Sequence, residues 1–150
     1  MNWIRSNAPV IEAIAAALTA LVAVAALAGV KVQLDRTDAL QRAQSARDAF
    51  RAHLALSVEH PAFTDPTDAC ALLTSDRAAA YGAFVEHLLY SAEQMLAIDE
   101  GWEPTFTALL PPHAAYLCAT DDLSTYTPPL DGILLRFQAG ACPATPACGT

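Results

Sequence analysis

Residues 8–30 read APVIEAIAAALTALVAVAALAGV, an apolar run with a single charged residue, Glu12, near its start. About 20 consecutive apolar residues are enough for an α-helix to cross the hydrocarbon core of a bilayer. No later stretch of the chain is as apolar. The sequence therefore predicts a single-pass transmembrane helix, with a lipid bilayer as its first partner.

The competing interpretation of this run is a cleaved signal peptide. Arg5 supplies a short basic region, and Ala26-Leu27-Ala28 before Gly29 imitates a signal-peptidase site. However, the run is longer than the usual hydrophobic region of about 7–15 residues, and Glu12 interrupts it. We therefore expect the helix to be retained as an anchor.

Four alanines in the run recur at three- and four-residue spacing, which places them on one face of a helix. Small residues at such positions let a second membrane helix approach closely. Because no Gly-x-x-x-Gly pattern accompanies them, alanine as a plain apolar filler is the more common reading. The candidate helix–helix face consists of Ala13, Ala16, Ala20 and Ala23.

The distribution of basic residues predicts the orientation of the anchor. Arg5 alone precedes the run, whereas five basic residues follow it: Lys31, Arg36, Arg42, Arg47 and Arg51. Lysine and arginine favour the cytoplasmic side of a membrane. We therefore expect a bacterial inner-membrane protein with its soluble domain in the cytoplasm, a periplasmic domain being the alternative.

Charge divides the chain into two parts. Residues 1–60 carry a formal net charge of +1, whereas residues 61–150 carry −9, with only Arg77 and Arg136 as basic residues. Nucleic-acid binding needs lysine and arginine to neutralise phosphates. The acidic part therefore predicts no nucleic-acid partner.

The four cysteines form no Cys-x-x-Cys motif, so neither a dithiol redox pair nor a zinc knuckle is indicated. Cys70 and Cys118 lie in apolar, helix-like contexts and are expected to be small core residues. Cys142 and Cys148 flank Pro-Ala-Thr-Pro-Ala. This pair is the candidate disulfide if the domain is exported, because disulfides persist in oxidising compartments.

Helical periodicity continues beyond the apolar run. A mostly apolar stripe recurs every three or four positions, thickened by Ala39, Ala46 and Ala49, and His60-Pro61 follows soon after. The stripe consists of Leu40, Ala43, Arg47, Phe50, Leu54 and Ser57. Because a residue before proline is disfavoured in the helical region, the helix should end near Glu59. Gly29 is the place where we expect a kink.

Several shorter helices are predicted after Pro61. The clearest amphipathic stripe runs from Tyr81 to Leu96, with Gly101 as its expected stop. Asp65 is the predicted cap of a short helix before it. A helix opened by Trp102, another started by Pro112 and a last helix around Leu130–Phe137 complete this part, with a polar linker over 120–129.

The predicted fold class is therefore all-α. One transmembrane helix continues into a long juxtamembrane helix, and four or five shorter helices pack as a small domain. The predicted segments are a short tail (1–7), the transmembrane helix (8–30), the juxtamembrane helix (31–60), the helical domain (61–139) and a Pro- and Cys-containing tail (140–150). One buried cluster is expected to contain Phe50, Phe84, Leu88, Trp102 and Phe106.

No motif indicates a chemical activity. His53 and His60 are seven residues apart, two helical turns, which is too far to share one metal ion. No serine lies in Gly-x-Ser-x-Gly, and Cys118 near His113 is a weak nucleophile–base pairing. We therefore predict no catalytic residue, no metal ligand and no cofactor.

The layout resembles small bacterial membrane proteins of unknown function with one N-terminal anchor and a compact helical domain. The resemblance covers about residues 10–120 and rests on His60-Pro61-Ala62-Phe63, the 81–96 helix, and Gly101-Trp102 followed by Phe106. It implies no catalytic residues. We expect an accessory subunit that docks on a larger integral membrane complex. A ligand-binding sensor, with a pocket between the Tyr81 and Trp102 helices, and an unrecognised enzyme are the alternatives.

Overall fold

The computed structural model describes residues 2–120 and 125–148. In these residues all regular secondary structure is helical and there is no strand, which confirms the all-α prediction. Three short 3-10 helices accompany the α-helices, at Glu100–Trp102, Pro111–His113 and Cys142–Ala144. The α-helices are α1 (Asn2–Glu59), α2 (Pro61–Thr64), α3 (Ala69–Leu73), α4 (Ala78–Leu96), α5 (Glu103–Leu109), α6 (Ala114–Ala119) and α7 (Pro128–Ala141).

The chain divides into two compact units, Met1–Gln41 and Arg42–Thr150. The division falls inside α1, between the predicted boundaries at 30/31 and 60/61, which stay predictions. The last part of α1, residues 42–59, belongs to the second unit because its side chains pack there, among them the buried Ala46 and His53.

In the first unit, α1 begins at Asn2, so residues 2–7 of the predicted tail are helical, while Met1 lies outside the described residues. The helix continues through Gly29 without interruption. All side chains from Glu12 to Gln41 are exposed. By length and composition, α1 is long and apolar enough to cross a membrane.

The core of the second unit is built around α4, which contributes nine of its own residues to the buried set. α1 ends where predicted, at the residue before His60-Pro61. The buried apolar residues are Ala46, Phe63, Tyr81, Phe84, Val85, Leu88, Leu89, Ala92, Met95, Leu96, Phe106, Leu110, Leu117, Leu130, Ile133 and Leu134.

The predicted aromatic cluster is present. Phe84, Leu88 and Phe106 are buried, while Phe50 and Trp102 are half-buried and pack against the same core. The Phe50 ring lies 5.2 Å from that of Phe106 and 5.8 Å from that of Trp102, both in edge-to-face geometry. Such pairs add about 0.5–1.5 kcal/mol beyond the burial of their area.

Two predicted helix boundaries are wrong. Asp68, not Asp65, caps α3, and its carboxylate accepts a 2.9 Å hydrogen bond from the Ala71 N–H. The reason is α2, a short turn over Pro61–Thr64 that delays the next helix and leaves Asp65 at its end. α4 ends at Leu96, and Gly101 lies in a 3-10 turn without a positive φ.

The cysteine pairing differs from the prediction. Cys70 is bonded to Cys148 and Cys118 to Cys142, with Cα–Cα distances of 5.1 and 5.4 Å. The candidate Cys142–Cys148 bond is therefore absent, and Cys70 and Cys118 are not free core residues. α7 continues to Ala141, beyond the predicted end of the last helix, and so places Cys142 beside α6. The turn that follows brings Cys148 to α3.

The two disulfides thus bond the tail from residue 140 to the helical domain. Its sequence lacks periodicity, but α7 and the turn Cys142–Ala144 cover its first residues. Within the predicted linker, α6 ends at Ala119 and α7 starts at Pro128, whereas residues 121–124 lie outside the described part of the chain.

Candidate functional site

A cleft of about 490 Å³ lies between the end of α1, α2 and α4. Pockets for small molecules usually measure about 300–1,000 Å³ and are mostly apolar with a few polar groups. Both conditions are met here. The lining residues are Leu56, His60, Phe63, Arg77, Ala80, Ala83, Phe84 and His87.

The turn at His60-Pro61 creates the floor of the cleft. It ends α1 and starts α2, which buries Phe63 against α4. The Phe63 ring lies 5.7 Å from that of Tyr81 and 5.9 Å from that of Phe84. The chain after α2 then returns through α3, whose following turn places Arg77 at the start of α4.

Arg77 is the cation of the cleft. Its Cζ lies 4.5 Å from the centroid of the Phe63 ring, a cation–π contact. No carboxylate among the described residues lies within 4 Å of its guanidinium. By contrast, Arg136 forms an ion pair with Glu103.

Three histidines from three different elements, His53, His87 and His113, lie in one cluster with Phe84. His53 of α1 stacks on His87 of α4 at 5.8 Å, and its ring lies 4.8 Å from that of Phe84. His113 belongs to the 3-10 turn Pro111–His113. The centroid of its ring lies 6.0 Å from that of Phe84, in edge-to-face geometry. His53 is 4% exposed and His113 is 2% exposed.

The two buried histidines differ in their partners. His113 Nδ1 lies 3.0 Å from the Tyr81 hydroxyl, so this polar group is satisfied. His53 Nδ1 is buried and has no hydrogen-bond partner in the described residues. A buried polar atom without a partner costs about 1–3 kcal/mol, which makes His53 the most costly polar residue in this region.

Burial keeps both of these histidines uncharged at neutral pH. It lowers the pKa of His53 to about 4, with further lowering by the nearby His87 and His113. Burial also lowers the pKa of His113 to about 4, although the carboxylate of Asp65 opposes this shift. Burial raises the pKa of Tyr81 to about 12, so the Tyr81–His113 contact is between two neutral groups.

Two further polar contacts hold α4 in place. The Ser91 hydroxyl lies 2.7 Å from the His87 carbonyl and 3.2 Å from the Ala49 carbonyl, which links α4 to α1. The Glu86 carboxylate accepts hydrogen bonds of 2.8 and 2.6 Å from the hydroxyls of Tyr116 and Tyr126. Burial, followed by these bonds to Glu86, raises the pKa of Tyr116 to about 12 and that of Tyr126 further.

The sequence-predicted site residues lie apart from the cleft. Ala13, Ala16, Ala20 and Ala23 are all exposed along α1, and whether they pack against a second helix stays a prediction. Cys142 and Cys148 are half-buried in two separate disulfides. Among the residues that the structure describes, no three His, Cys, Asp or Glu side chains are placed to hold a metal ion.

The pocket hypothesis placed its site between the helices of Tyr81 and Trp102, and that position stays a prediction. Trp102 packs on Phe50 and Phe106, so its side of α4 is part of the core. The cleft lies instead where α4 meets α2 and the end of α1.

Sequence reasoning also missed the histidine cluster. From Glu12 onward, the buried and half-buried positions of α1 are Ala43, Ala46, Ala49, Phe50, His53, Leu56 and Ser57. His53 therefore occupies a position on the apolar stripe, whereas the predicted stripe passed through Arg47 and Leu54, which are exposed. The signal was the alanine spacing Ala43–Ala46–Ala49, which continues to His53.

No protein-family model matches the chain, and no curated protein or solved structure matches it either. The resemblance to small anchored bacterial proteins therefore stays a prediction.

Proposed function

We propose that this chain is a single-pass membrane protein whose helical domain lies outside the cytoplasm and acts as an accessory module for a larger membrane complex. The observation that carries the location is the pairing of all four cysteines in two disulfides. Cytosolic thiols are kept reduced, whereas disulfides persist in oxidising compartments. This proposal takes the periplasmic alternative in place of the cytoplasmic one.

The charge argument for a cytoplasmic domain is weaker than the disulfides. Arg42, Arg47 and Arg51 belong to the packed second unit, and basic residues count most when they lie close to the ends of the span. That leaves Lys31 and Arg36 after the run against Arg5 and the amino terminus before it. So small a difference gives little preference for either orientation.

The anchor is supported by the exposure of α1. The apolar side chains from Glu12 to Gln41 are exposed, including Leu21, Val24 and Leu27 at 65–71%. Apolar surface of this extent on a soluble protein marks a membrane or protein contact. A bilayer would cover it, and the alanine stripe would give an integral membrane partner a close approach.

The location is tested on full-length protein expressed in its native membrane. Alkaline-washed membranes should retain the protein, and its intact mass should correspond to an uncleaved chain with four cysteines in disulfides. An impermeant maleimide should label it in intact spheroplasts only after an impermeant reductant is added. A mature chain beginning near Gly29 would contradict the anchor, and labelling that requires lysis would contradict the exported domain.

The docking role is tested by crosslinking in the same membranes. We expect a specific crosslinked partner that is lost when Ala16 and Ala20 are both changed to Ile, because the larger side chains prevent close approach. Replacing Ala15 and Ala25 by Ile, on the other side of the same helix, is the matched control and should leave the crosslink intact. A crosslink pattern that is identical for both pairs would contradict docking through the alanine stripe.

A second candidate function is an anchored ligand-binding module. The specific observation in its favour is the cleft, which combines an apolar floor with Arg77 and two histidines. The two candidates are compatible, since they use different residues of the chain.

A further inference from the structure

We propose that the cleft between the end of α1, α2 and α4 binds a small amphiphilic carboxylate. Its apolar chain would lie along Leu56, Ala80 and Ala83, above the buried rings of Phe63 and Phe84. Its carboxylate would be held by Arg77. This inference deepens the second candidate function, and it requires neither the membrane anchor nor a protein partner, because all lining residues lie between 56 and 87.

The shape and lining of the cleft favour an apolar chain. Five of its eight lining residues are apolar: Leu56, Phe63, Ala80, Ala83 and Phe84. The two alanines lie on α4 three residues apart, so they form a shallow strip beside the aromatic rings. A flexible alkyl chain fits such a strip, whereas a bulky ring system would meet the ring of His87 at its end.

The charge of the cleft favours an anion. The acidic part of the chain, residues 61–150, holds only two basic residues, and Arg136 is already paired with Glu103. Arg77 is held over the Phe63 ring and has no carboxylate within 4 Å in the described residues. A guanidinium has five N–H donors in a planar fork that matches a carboxylate.

Nearby acidic groups limit the charge that the ligand can carry. Asp65 and Asp68 line the adjoining hollow together with Arg77, although neither lies within 4 Å of its guanidinium. Their repulsion would disfavour a phosphate or another multiply charged head group. A single carboxylate is therefore the anion that this site suits best.

The polar rim provides two further contacts. His60 is exposed at the mouth of the cleft, with its ring 5.3 Å from that of Phe63. His87 lies at the opposite part of the lining and is fixed by stacking on His53. Ring N–H groups can donate to a carboxylate oxygen, so each histidine offers an additional hydrogen bond.

The test uses full-length protein with both disulfides confirmed by intact mass, reconstituted in phosphatidylcholine nanodiscs. The probe is a decanoate that carries a photoreactive diazirine on its chain. Mass spectrometry after chymotryptic digestion locates the adducts. We expect adducts at the cleft, around Phe63 and Phe84, which excess decanoate suppresses and excess decanol does not.

Variants distinguish the carboxylate contact from simple apolar binding. Arg77→Gln should weaken the apparent affinity for the probe roughly tenfold or more, since a charge-assisted hydrogen bond is lost. Arg77→Lys should restore part of it, which shows that charge and not folding is responsible. Arg136→Gln is the matched control and should leave the affinity unchanged.

Three results would overturn the inference: adducts confined to residues 8–30, equal competition by decanol, or unchanged affinity in Arg77→Gln. A cleft covered by another chain would give the first of these results. The membrane-retention and disulfide measurements are made on the same sample. Failure of the ligand site is therefore distinguishable from failure of the proposed anchor and location.

Discussion

The two lengths of α1 differ in a way that their composition alone does not predict. From Glu12 to Gln41 all side chains are exposed, although this length contains the most apolar residues of the chain. From Arg42 to Glu59 the sequence is more polar, yet Ala46 and His53 are buried and Phe50 is half-buried. The more apolar length is uncovered within this chain, and the less apolar one belongs to a packed core. The comparison teaches that hydropathy and burial are separate properties.

The largest effect is expected from charging the uncovered length. Replacing both Leu21 and Val24 by Arg should abolish membrane retention, because each charge at the centre of a span costs about 2.5–3.5 kcal/mol. Leu54→Arg with Val58→Arg is the matched control, since both residues are exposed in the packed length of the same helix. Fractionation of washed membranes measures the outcome. Retention of the doubly charged variant would show that the bilayer does not cover this length.

A large loss of stability is expected from the core that the packed length contacts. Phe106 is 1% exposed and its ring lies against that of Phe50, so Phe106→Ala should lower the free energy of unfolding by about 3–5 kcal/mol. Leu18→Ala, in the uncovered length, should leave the melting temperature of the domain unchanged. Thermal melts of the full-length protein in detergent decide this, and equal melting of both variants would contradict the comparison.

The disulfides are expected to contribute somewhat less. Removing a native disulfide from a small domain costs about 2–5 kcal/mol, and more when the closed loop is longer. Cys70 and Cys148 are 78 positions apart, whereas Cys118 and Cys142 are 24 apart. Changing the first pair to Ser should therefore lower the melting temperature more than changing the second. The reverse order, or an unchanged melting temperature after reduction of the wild type, would contradict stabilisation of the domain by these disulfides.

Acid should destabilise the packed length through its buried histidine. The unfolded chain binds protons below about pH 6.5, whereas burial lowers the pKa of His53 and of His113 to about 4 in the fold. Stability should therefore fall as the pH drops from about 6.5 to about 4, by about 2 kcal/mol for each histidine at pH 5. Below about pH 4 this contribution should level off.

His53→Gln isolates that contribution, since carboxylates also titrate in acid. Its melting temperature should depend less steeply on pH than that of the wild type between pH 7 and about 5. Leu54→Gln, at the exposed neighbouring position, should retain the full slope. If the melting temperature depended equally on pH in all three proteins, His53 would not be an uncharged buried residue.

The smallest effect on stability is expected from replacing one alanine by leucine in each length of α1. Ala46 is 1% exposed, so Ala46→Leu should overpack the core and lower the free energy of unfolding by about 1–3 kcal/mol. Ala20→Leu adds the same atoms to the uncovered length and should leave domain stability unchanged. Thermal melts measure both, and an equal cost would mean that the two lengths share one environment.

Local patterns predicted most of the helices. The end of α1 before His60-Pro61 followed from the steric restriction that proline places on the preceding residue. The stripe from Tyr81 to Leu96 predicted α4, because one helix face must be apolar to form a core. The boundaries failed where a short turn intervened, as at α2, since several caps compete over a few residues and tertiary contacts select one.

The cleft and the histidine cluster could not be predicted in the same way. Arg77 and Phe63 are fourteen residues apart, and His53 and His113 are sixty apart, so no local period connects either pair. The sequence analysis considered only the spacing of His53 and His60 along one helix, whereas the His53 side chain contacts α4. Cys142 and Cys148 were the candidate pair for an exported domain because they are close in sequence, but in the fold each bonds to a different cysteine.

The sequence by itself determined the helical fold class, the apolar run and the acidic character of residues 61–150, since these depend on local spacing and composition. Only the tertiary structure decided which cysteines pair, that His53 is buried, and that Arg77 lies over Phe63 beside an apolar cleft. The physical reason is that each of these features joins residues from separate helices. Their distances depend on how the helices pack, and many packings are compatible with the same local pattern.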